Sequence, residues 1–142
     1  MRSPRSCATD AGSGTLSLTA KLAWLAAAGA LGTLSRYGVA MFVDRNLQAV
    51  FPWGTVAVNM TGCFFFGLVY SFAEQRAALA GDVRGIVLTG FMGAYTTYST
   101  FAFQSAQYIE KSQWALAAAN IVSQNVLGVV CVFAGFFVGK WL

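Results

Sequence analysis

The chain has 142 residues, of which 57% are hydrophobic and only 10% are charged. Soluble domains carry about 25% charged residues, so this composition excludes a surface that faces water throughout. The net charge of +4 is divided among separate loops without forming a basic stripe, which disfavours nucleic acid as a partner.

The chain begins with a polar stretch rich in Ser, Thr, Gly and Arg, and four long apolar runs follow it. Residues 1–20 are predicted to be a disordered polar tail, because they cannot bury enough apolar surface to fold. The run that begins near Leu22 is too long to be the apolar part of a signal peptide. Residues 21–142 are predicted to form one transmembrane channel domain.

Each apolar run contains about 20 residues or more, enough for a helix to cross a hydrocarbon core of about 30 Å. Helices are favoured because lipid offers no partner for backbone N–H and C=O groups. Asp44, Arg45 and Asn46 are predicted to form a loop after the first helix. The predicted helices cover approximately residues 21–43, 52–73, 85–109 and 113–138.

An even number of crossings places both termini on one side of the membrane. Basic residues near the helix ends are almost equally divided between the two sides, so the positive-inside rule gives little direction. Insertion in both orientations is one interpretation, and a weak orientation signal is the other. Four short helices enclose little space, which favours a dimer. Gly135 and Gly139 form a GxxxG pattern, which indicates close helix packing.

Neutral polar side chains interrupt the second and fourth apolar runs. Asn59 and Thr61 lie in the second run, while Asn120 and Gln124 lie four residues apart on one face of the fourth. Polar groups are costly in lipid, so each of them is a candidate functional residue. The alternative is that these amides form hydrogen bonds between helices.

The third apolar run is rich in Gly, Thr and Tyr over residues 90–101. These residue types weaken a helix, and a break at this point would expose backbone carbonyls that an ion can bind. The alternative is a continuous helix whose hydroxyl groups bond to carbonyls one turn earlier. The residues alone favour neither structure.

Acidic groups are absent from the apolar runs, which disfavours a proton-coupled or cation-coupled transporter. Histidine is also absent and the three cysteines form no CxxC pair, so neither catalysis nor a zinc site is expected. Uncharged N–H and O–H donors suit an anion. Arg36 adds positive charge near one mouth of such a pathway, or else extends to the membrane interface.

Three segments resemble the Fluc (CrcB) fluoride-channel family, and the resemblance extends from about Leu22 to the C-terminus. The segments are GALGTLSRY at 29–37, WGTVAVN at 53–59 and TTYSTF at 96–101. The resemblance implies an all-α membrane fold with four transmembrane helices per chain, the third broken near mid-membrane. It also implies an antiparallel, dual-topology homodimer with two fluoride pores.

The resemblance assigns roles to individual residues. It implies a structural Na⁺ at the dimer centre, held by the backbone carbonyls of Gly93 and Thr96, and a vestibule that contains Arg36. The implied fluoride pore contains Asn59, Tyr98, Ser99, Thr100, Phe101, Asn120 and Gln124.

Three residues depart from the family pattern. Tyr98 stands where the family has the first Phe of a pair, Gln104 where it often has Glu, and Ala94 where it has the second Gly of a pair. The Tyr98 hydroxyl needs a partner, Gln104 bears on conduction, and Ala94 bears on the helix break. We expect these departures to affect rate and selectivity more than the fold.

The implied function is passive, selective export of fluoride from the cytoplasm, which confers fluoride resistance, and no enzymatic activity is expected. The implied location is the cell inner membrane or plasma membrane, and the expected partners are fluoride, the lipid bilayer and a second copy of the chain. A small proton-coupled multidrug exporter and a non-conducting membrane scaffold are the alternatives. The exporter requires a membrane carboxylate that the sequence does not contain.

Overall fold

The computed structural model describes residues 16–75 and 81–142, and within these ranges it consists of helices joined by short connections. The third helix contains a π-helical stretch in its middle, and no strand occurs in the described ranges. The helices are α1 (Leu18–Leu47), α2 (Trp53–Glu74), α3 (Asp82–Gly85, π-helical Ile86–Met92 and Gly93–Tyr95 in succession), α4 (Tyr98–Glu110) and α5 (Trp114–Trp141).

Three of these helices, α1, α2 and α5, are long and apolar enough to cross a membrane. The chain is therefore a helical membrane protein, as the length of its apolar runs predicts. The third predicted run is divided between α3 and α4, and neither half alone has the length of a span. A fourth crossing stays a prediction.

The first helix begins earlier than the predicted Lys21. The Ser17 hydroxyl oxygen accepts a hydrogen bond from the Ala20 N–H at 3.3 Å, and this cap starts α1 at Leu18. The predicted tail therefore does not extend to residue 20. The predicted disorder of residues 1–15 lies outside the described residues.

The predicted loop over 44–46 is wrong, because these residues lie in the final part of α1. Their polarity marks the edge of the apolar run, whereas the helix continues until Gln48 adopts a left-handed conformation with φ 43°. The Asp44 carboxylate accepts a hydrogen bond from the Gly54 N–H at 2.8 Å. It thereby caps α2, whose N-cap residue Pro52 offers no side-chain acceptor.

Helices α2 and α5 pack closely along glycine residues. Gly135 and Gly139 are buried against the backbone of Phe64 and Leu68. An added Cβ at Gly139 would lie 2.7 Å from the Leu68 carbonyl oxygen, and one at Gly135 would overlap the Phe64 carbonyl. The predicted GxxxG packing is confirmed, and the partner helix belongs to the same chain.

Helix α3 packs on α1 through small residues. Gly32 of α1 lies against the Phe91 carbonyl, and a Cβ added to Gly90 would lie 3.0 Å from the Ala28 Cβ. In the π-helical stretch, the Gly93 N–H bonds to the Leu88 carbonyl five residues earlier. Such wide turns are frequent at functional sites, and this one leads directly into the end of α3.

Polar contacts join the beginning of α3 to α1 and α2. Lys21 Nζ lies 2.6 Å from Asp82 Oδ1, and the Leu16 N–H donates to Asp82 Oδ2 at 2.8 Å. The hydrogen bonds from Lys21 and Leu16 hold the pKa of the Asp82 carboxyl below its usual range. The Arg84 guanidinium lies 4.1 Å from the centre of the Tyr70 ring, which attaches α3 to α2 as well.

We expect Gly135→Ala to lower the free energy of unfolding by about 1–3 kcal/mol, since its methyl group would push α5 away from the Phe64 carbonyl. Gly38→Ala is the matched control, because a Cβ there meets nothing within 4 Å. The control should be neutral or stabilising, since Ala favours a helix more than Gly does. Reversible unfolding in mixed detergent micelles, followed by tryptophan fluorescence, compares the two, and equal stabilities would contradict the packing argument.

Candidate functional site

The site lies where the helical backbone is interrupted between α3 and α4. Thr96 and Thr97 are both extended, with φ −80° and ψ 158° at Thr96 and φ −145° and ψ 99° at Thr97. The Thr96 hydroxyl donates to the Met92 carbonyl at 3.1 Å. The Thr97 hydroxyl oxygen accepts the Thr100 N–H at 3.3 Å. The paired threonines therefore end one helix and cap the next.

Asn59 of α2 faces this interruption. Its Oδ1 accepts the Thr97 N–H at 2.9 Å, and its Nδ2 donates to the Thr97 carbonyl at 3.3 Å. Gly62 permits the close approach, because a side chain at that position would overlap Thr96. Helix α2 thus supplies hydrogen bonds that a continuous helix would have supplied internally.

A series of hydrogen-bonded side chains continues from Asn59 into the protein. Asn59 Nδ2 donates to Gln124 Oε1 at 2.6 Å, and Gln124 Nε2 donates to Asn120 Oδ1 at 2.8 Å. Asn120 Nδ2 donates to the Ser105 hydroxyl at 2.9 Å, and Ser105 donates to the Phe101 carbonyl at 2.9 Å. The amides of α5 therefore share one face, as predicted, and form hydrogen bonds between helices.

Ser105 is the member of this series that the sequence analysis missed. It is buried, and it lies four residues after Phe101 on the same side of α4. The available signal was spacing, since Thr97, Phe101 and Ser105 recur every four residues and so share one face.

An open groove of about 270 Å³ lies beside the interruption. Four of the predicted pore residues line it together, namely Asn59, Tyr98, Phe101 and Gln124. Asn120 is not part of this wall, because it is fully buried behind Gln124.

A second cavity, of about 390 Å³, also has Thr97 in its wall. It brings Arg36 together with Thr100, so positive charge and hydroxyl groups share one space. Ser99 is exposed and lines neither of these two cavities. The predicted pore and vestibule residues are therefore divided between two cavities that meet at Thr97.

Tyr98 and Phe101 form the predicted aromatic pair. Their ring centres are 5.4 Å apart and their planes make an angle of 65°, so one ring presents its edge to the other. Phe101 is buried, whereas Tyr98 is 77% exposed and its hydroxyl forms no hydrogen bond with the described residues. Aromatic ring edges are positively polarised, so this pair suits an anion in the groove.

Carboxylates are absent from the residues that line the two cavities. The described part of the chain also contains no group of three His, Cys, Asp or Glu residues that could hold a metal. The predicted cation ligands are instead the backbone carbonyls of Gly93 and Thr96. Because the Thr97 N–H bonds to Asn59, it does not close a helical turn on the Gly93 carbonyl. Such neutral, hard oxygen atoms suit Na⁺.

The other two departures from the family pattern fit into the packing. Gln104 Nε2 donates to the Thr55 hydroxyl at 3.0 Å, while its Oε1 is buried without a hydrogen-bond partner among the described residues. The Ala94 methyl group faces Gly32 of α1. Ala94 therefore contributes to the contact between α1 and α3.

One known protein family matches most of the chain. The family model described as CrcB-like protein, Camphor Resistance (CrcB), matches residues 23–136. The chain belongs to the CrcB family. The matched range contains every residue predicted for the pore, the vestibule and the cation site of this CrcB protein.

Curated CrcB relatives named fluoride-specific ion channel FluC match most of the chain. The protein from Nitrosococcus oceani is 54% identical over 120 residues, which are 84% of this chain and 96% of that protein. The protein from Maridesulfovibrio salexigens is 46% identical over 84% of this chain and 95% of its own length. The protein from Solidesulfovibrio magneticus is 45% identical over 84% of this chain and 96% of its own length.

We expect Ser105→Ala to lower the free energy of unfolding by about 1–3 kcal/mol, because the buried Asn120 amide would lose its acceptor. Ser123→Ala is the matched control, since the Ser123 hydroxyl bonds only to the Asn120 carbonyl of its own helix, at 3.3 Å. Chemical unfolding in micelles measures both variants. A loss of stability in the control as large as that in Ser105→Ala would contradict the role of the series.

Proposed function

We propose that the chain is a fluoride-selective ion channel that passively exports fluoride from the cytoplasm. The observation that carries the proposal is the groove at the α3–α4 interruption, where amide and aromatic groups meet without a carboxylate. Membership of the CrcB family supports the same conclusion, as do relatives named fluoride-specific ion channels. A negative group in this groove would repel an anion, whereas neutral donors attract it.

The donors in the groove suit the chemistry of fluoride. This ion is small and strongly hydrated, so a pore has to replace its water contacts with closely placed donors. The first turn of α4 provides backbone N–H groups at the positive end of the helix dipole. Several weak sites in succession allow an ion both to bind and to leave. The proposed pore consists of Asn59, Tyr98, Ser99, Thr100, Phe101, Asn120 and Gln124, with Arg36 in its vestibule.

In the proposed channel, α3 and α4 form one interrupted crossing, which is the third along the chain and brings the number of crossings to four. Each of the two helices is about 20 Å long at a rise of about 1.5 Å per residue. Together they exceed a hydrocarbon core of about 30 Å, and their interruption lies near the middle of the combined length. Irregular backbone at that depth needs protein or an ion as its partner, and Asn59 is such a partner.

The open groove favours a second copy of the chain as its other wall. Tyr98 is largely exposed in the single chain, and polar groups such as Asn59 would otherwise face lipid at a considerable cost. The proposed assembly is an antiparallel homodimer of dual topology, with one pore for each copy. The nearly equal division of basic residues between the two membrane sides fits insertion in both orientations.

A structural Na⁺ at the dimer centre belongs to the same proposal. The carbonyls of Gly93 and Thr96 from both copies would hold it, and this role is supported by the Gly93 carbonyl, which does not accept the Thr97 N–H. Because these ligands are neutral, they do not cancel the positive charge of the ion. That charge would favour an anion in the neighbouring pores.

The physiological reason for such a channel follows from acid–base chemistry. Hydrogen fluoride crosses membranes as a neutral molecule and ionises in the cytoplasm, where the anion is trapped. A passive pore in the cell inner membrane or plasma membrane lets the anion leave and so confers fluoride resistance.

We expect Asn59→Asp to stop fluoride efflux, because it removes both amide donors and places negative charge in the groove. Liposomes loaded with fluoride and a fluoride electrode measure the efflux. Asn46→Asp is the matched control, since Asn46 is exposed at the end of α1 and its amide bonds to the Phe42 carbonyl at 2.7 Å. This control adds the same charge away from the groove and should conduct normally.

Two results of this assay would contradict the proposed function. Efflux through Asn59→Asp at the unmodified rate would show that the groove is not the pathway. A wild-type protein that releases no fluoride, or releases it only with a proton gradient and a drug, would support a scaffold or an exporter instead.

Dual topology can be tested with variants that carry one cysteine each and lack the native Cys7, Cys63 and Cys131. We expect each such cysteine to be labelled from outside the cell in about half of the molecules. A cysteine at Lys111, in the turn before α5, should react with a membrane-impermeant maleimide in about half of the molecules in intact cells. A cysteine at Trp141, at the other end of α5, should give the same fraction. Nearly complete labelling at one position with none at the other would indicate a single orientation.

A further inference from the structure

We propose that Asn59 is a positioning residue that holds the interruption between α3 and α4 open through hydrogen bonds to the Thr97 backbone. The inference rests on the proposed function only where it predicts a change in fluoride conduction. Its structural basis is a complete set of hydrogen bonds around one side chain.

Both N–H groups and the oxygen of the Asn59 amide have partners within the chain. A side-chain amide carries two N–H groups and one carbonyl oxygen. One Asn59 N–H donates to Gln124 at 2.6 Å and the other donates to the Thr97 carbonyl at 3.3 Å. Its oxygen accepts the Thr97 N–H at 2.9 Å. These three bonds fix the amide between Thr97 and Gln124.

The bonds to Thr97 replace those of a continuous helix. In an unbroken helix the Thr97 N–H would bond to the Gly93 carbonyl four residues earlier. Asn59 takes this N–H instead and pairs with the Thr97 carbonyl as well, as a neighbouring peptide group would. The extended conformation of Thr97 thereby keeps its partners, and the Gly93 carbonyl is released.

Helix α2 holds both sides of the interruption. Beside Asn59, the Thr61 hydroxyl lies 2.8 Å from the hydroxyl of Tyr95, the last residue of α3. Gly62 leaves room for the Thr96 methyl group and the Tyr95 ring between these two contacts. The start of α4 is therefore positioned relative to α3 by contacts that lie within about one turn of α2.

This arrangement implies that Asn59 affects conduction by positioning the first turn of α4. Tyr98 and Phe101 lie in the first turn of α4, so their location depends on the conformation of Thr97 immediately before them. A site that is about 1 Å out of place loses much of its function. We therefore expect Asn59→Leu, which keeps the size but removes every hydrogen bond, to reduce fluoride efflux by about tenfold or more.

Solid-state NMR of the full chain in lipid bilayers tests the positioning role directly. The ¹³C shifts of Thr96 and Thr97 distinguish extended from helical backbone, and a short ¹⁵N–¹³C contact between the Thr97 amide and Asn59 Cγ reports their hydrogen bond. In the wild type we expect extended shifts at both threonines and this contact. In Asn59→Leu we expect the Thr97 shifts to become helical or averaged.

Asn120→Leu is the matched control. It removes a buried amide of the same hydrogen-bonded series, but one that does not contact Thr97. Its Thr96 and Thr97 shifts should stay extended. If Asn59→Leu also retains extended shifts at both threonines, the positioning role is wrong.

The wild-type measurement keeps the proposal testable if Asn59→Leu does not fold, because absence of the contact between Thr97 and Asn59 would overturn it. The NMR measurement does not depend on whether the protein transports fluoride. A wild type that shows the contact but releases no fluoride would therefore overturn the proposed function and support the positioning role.

Discussion

Two hydrogen bonds between the Asn59 side chain and the Thr97 backbone determine how α3 meets α4. Lipid cannot replace a lost backbone partner, so an interrupted helix in a membrane protein depends on groups from its neighbours. Helix α2 supplies them, and Gly62 allows it to approach closely enough. The groove and the aromatic pair both lie next to this contact, which also keeps the Thr97 N–H from bonding to the Gly93 carbonyl.

The chemistry of the site depends on neutral amides and aromatic rings, and equally on the absence of carboxylates from the residues that line the two cavities. Amides in series satisfy one another from Asn59 to Ser105, so the buried polar groups need no charge to balance them. The aromatic edges and the first turn of α4 then present positive polarisation to the groove. A pathway with this lining favours an anion over a cation, and the FluC relatives are named for such an anion.

The membrane class and most helices were predictable, because hydrophobic length alone decides whether a helix can cross a bilayer. The ends of the helices were less predictable. Charge at 44–46 marks the edge of the apolar run, but α1 ends only where Gln48 becomes left-handed. Ser17 likewise starts α1 through a cap that composition does not reveal. Helix ends depend on local hydrogen bonds, whereas spans depend on summed hydrophobicity.

By itself, the sequence determined that this chain lies in a membrane and that its deep polar groups are neutral donors. Composition and spacing suffice for both statements, and spacing also placed Asn120 and Gln124 on one face. Only the tertiary structure decided that Asn59 pairs with Thr97 and that Arg36 lines a different cavity from Asn59. The physical reason is that these contacts join residues far apart in the chain, so they depend on which faces of the helices meet.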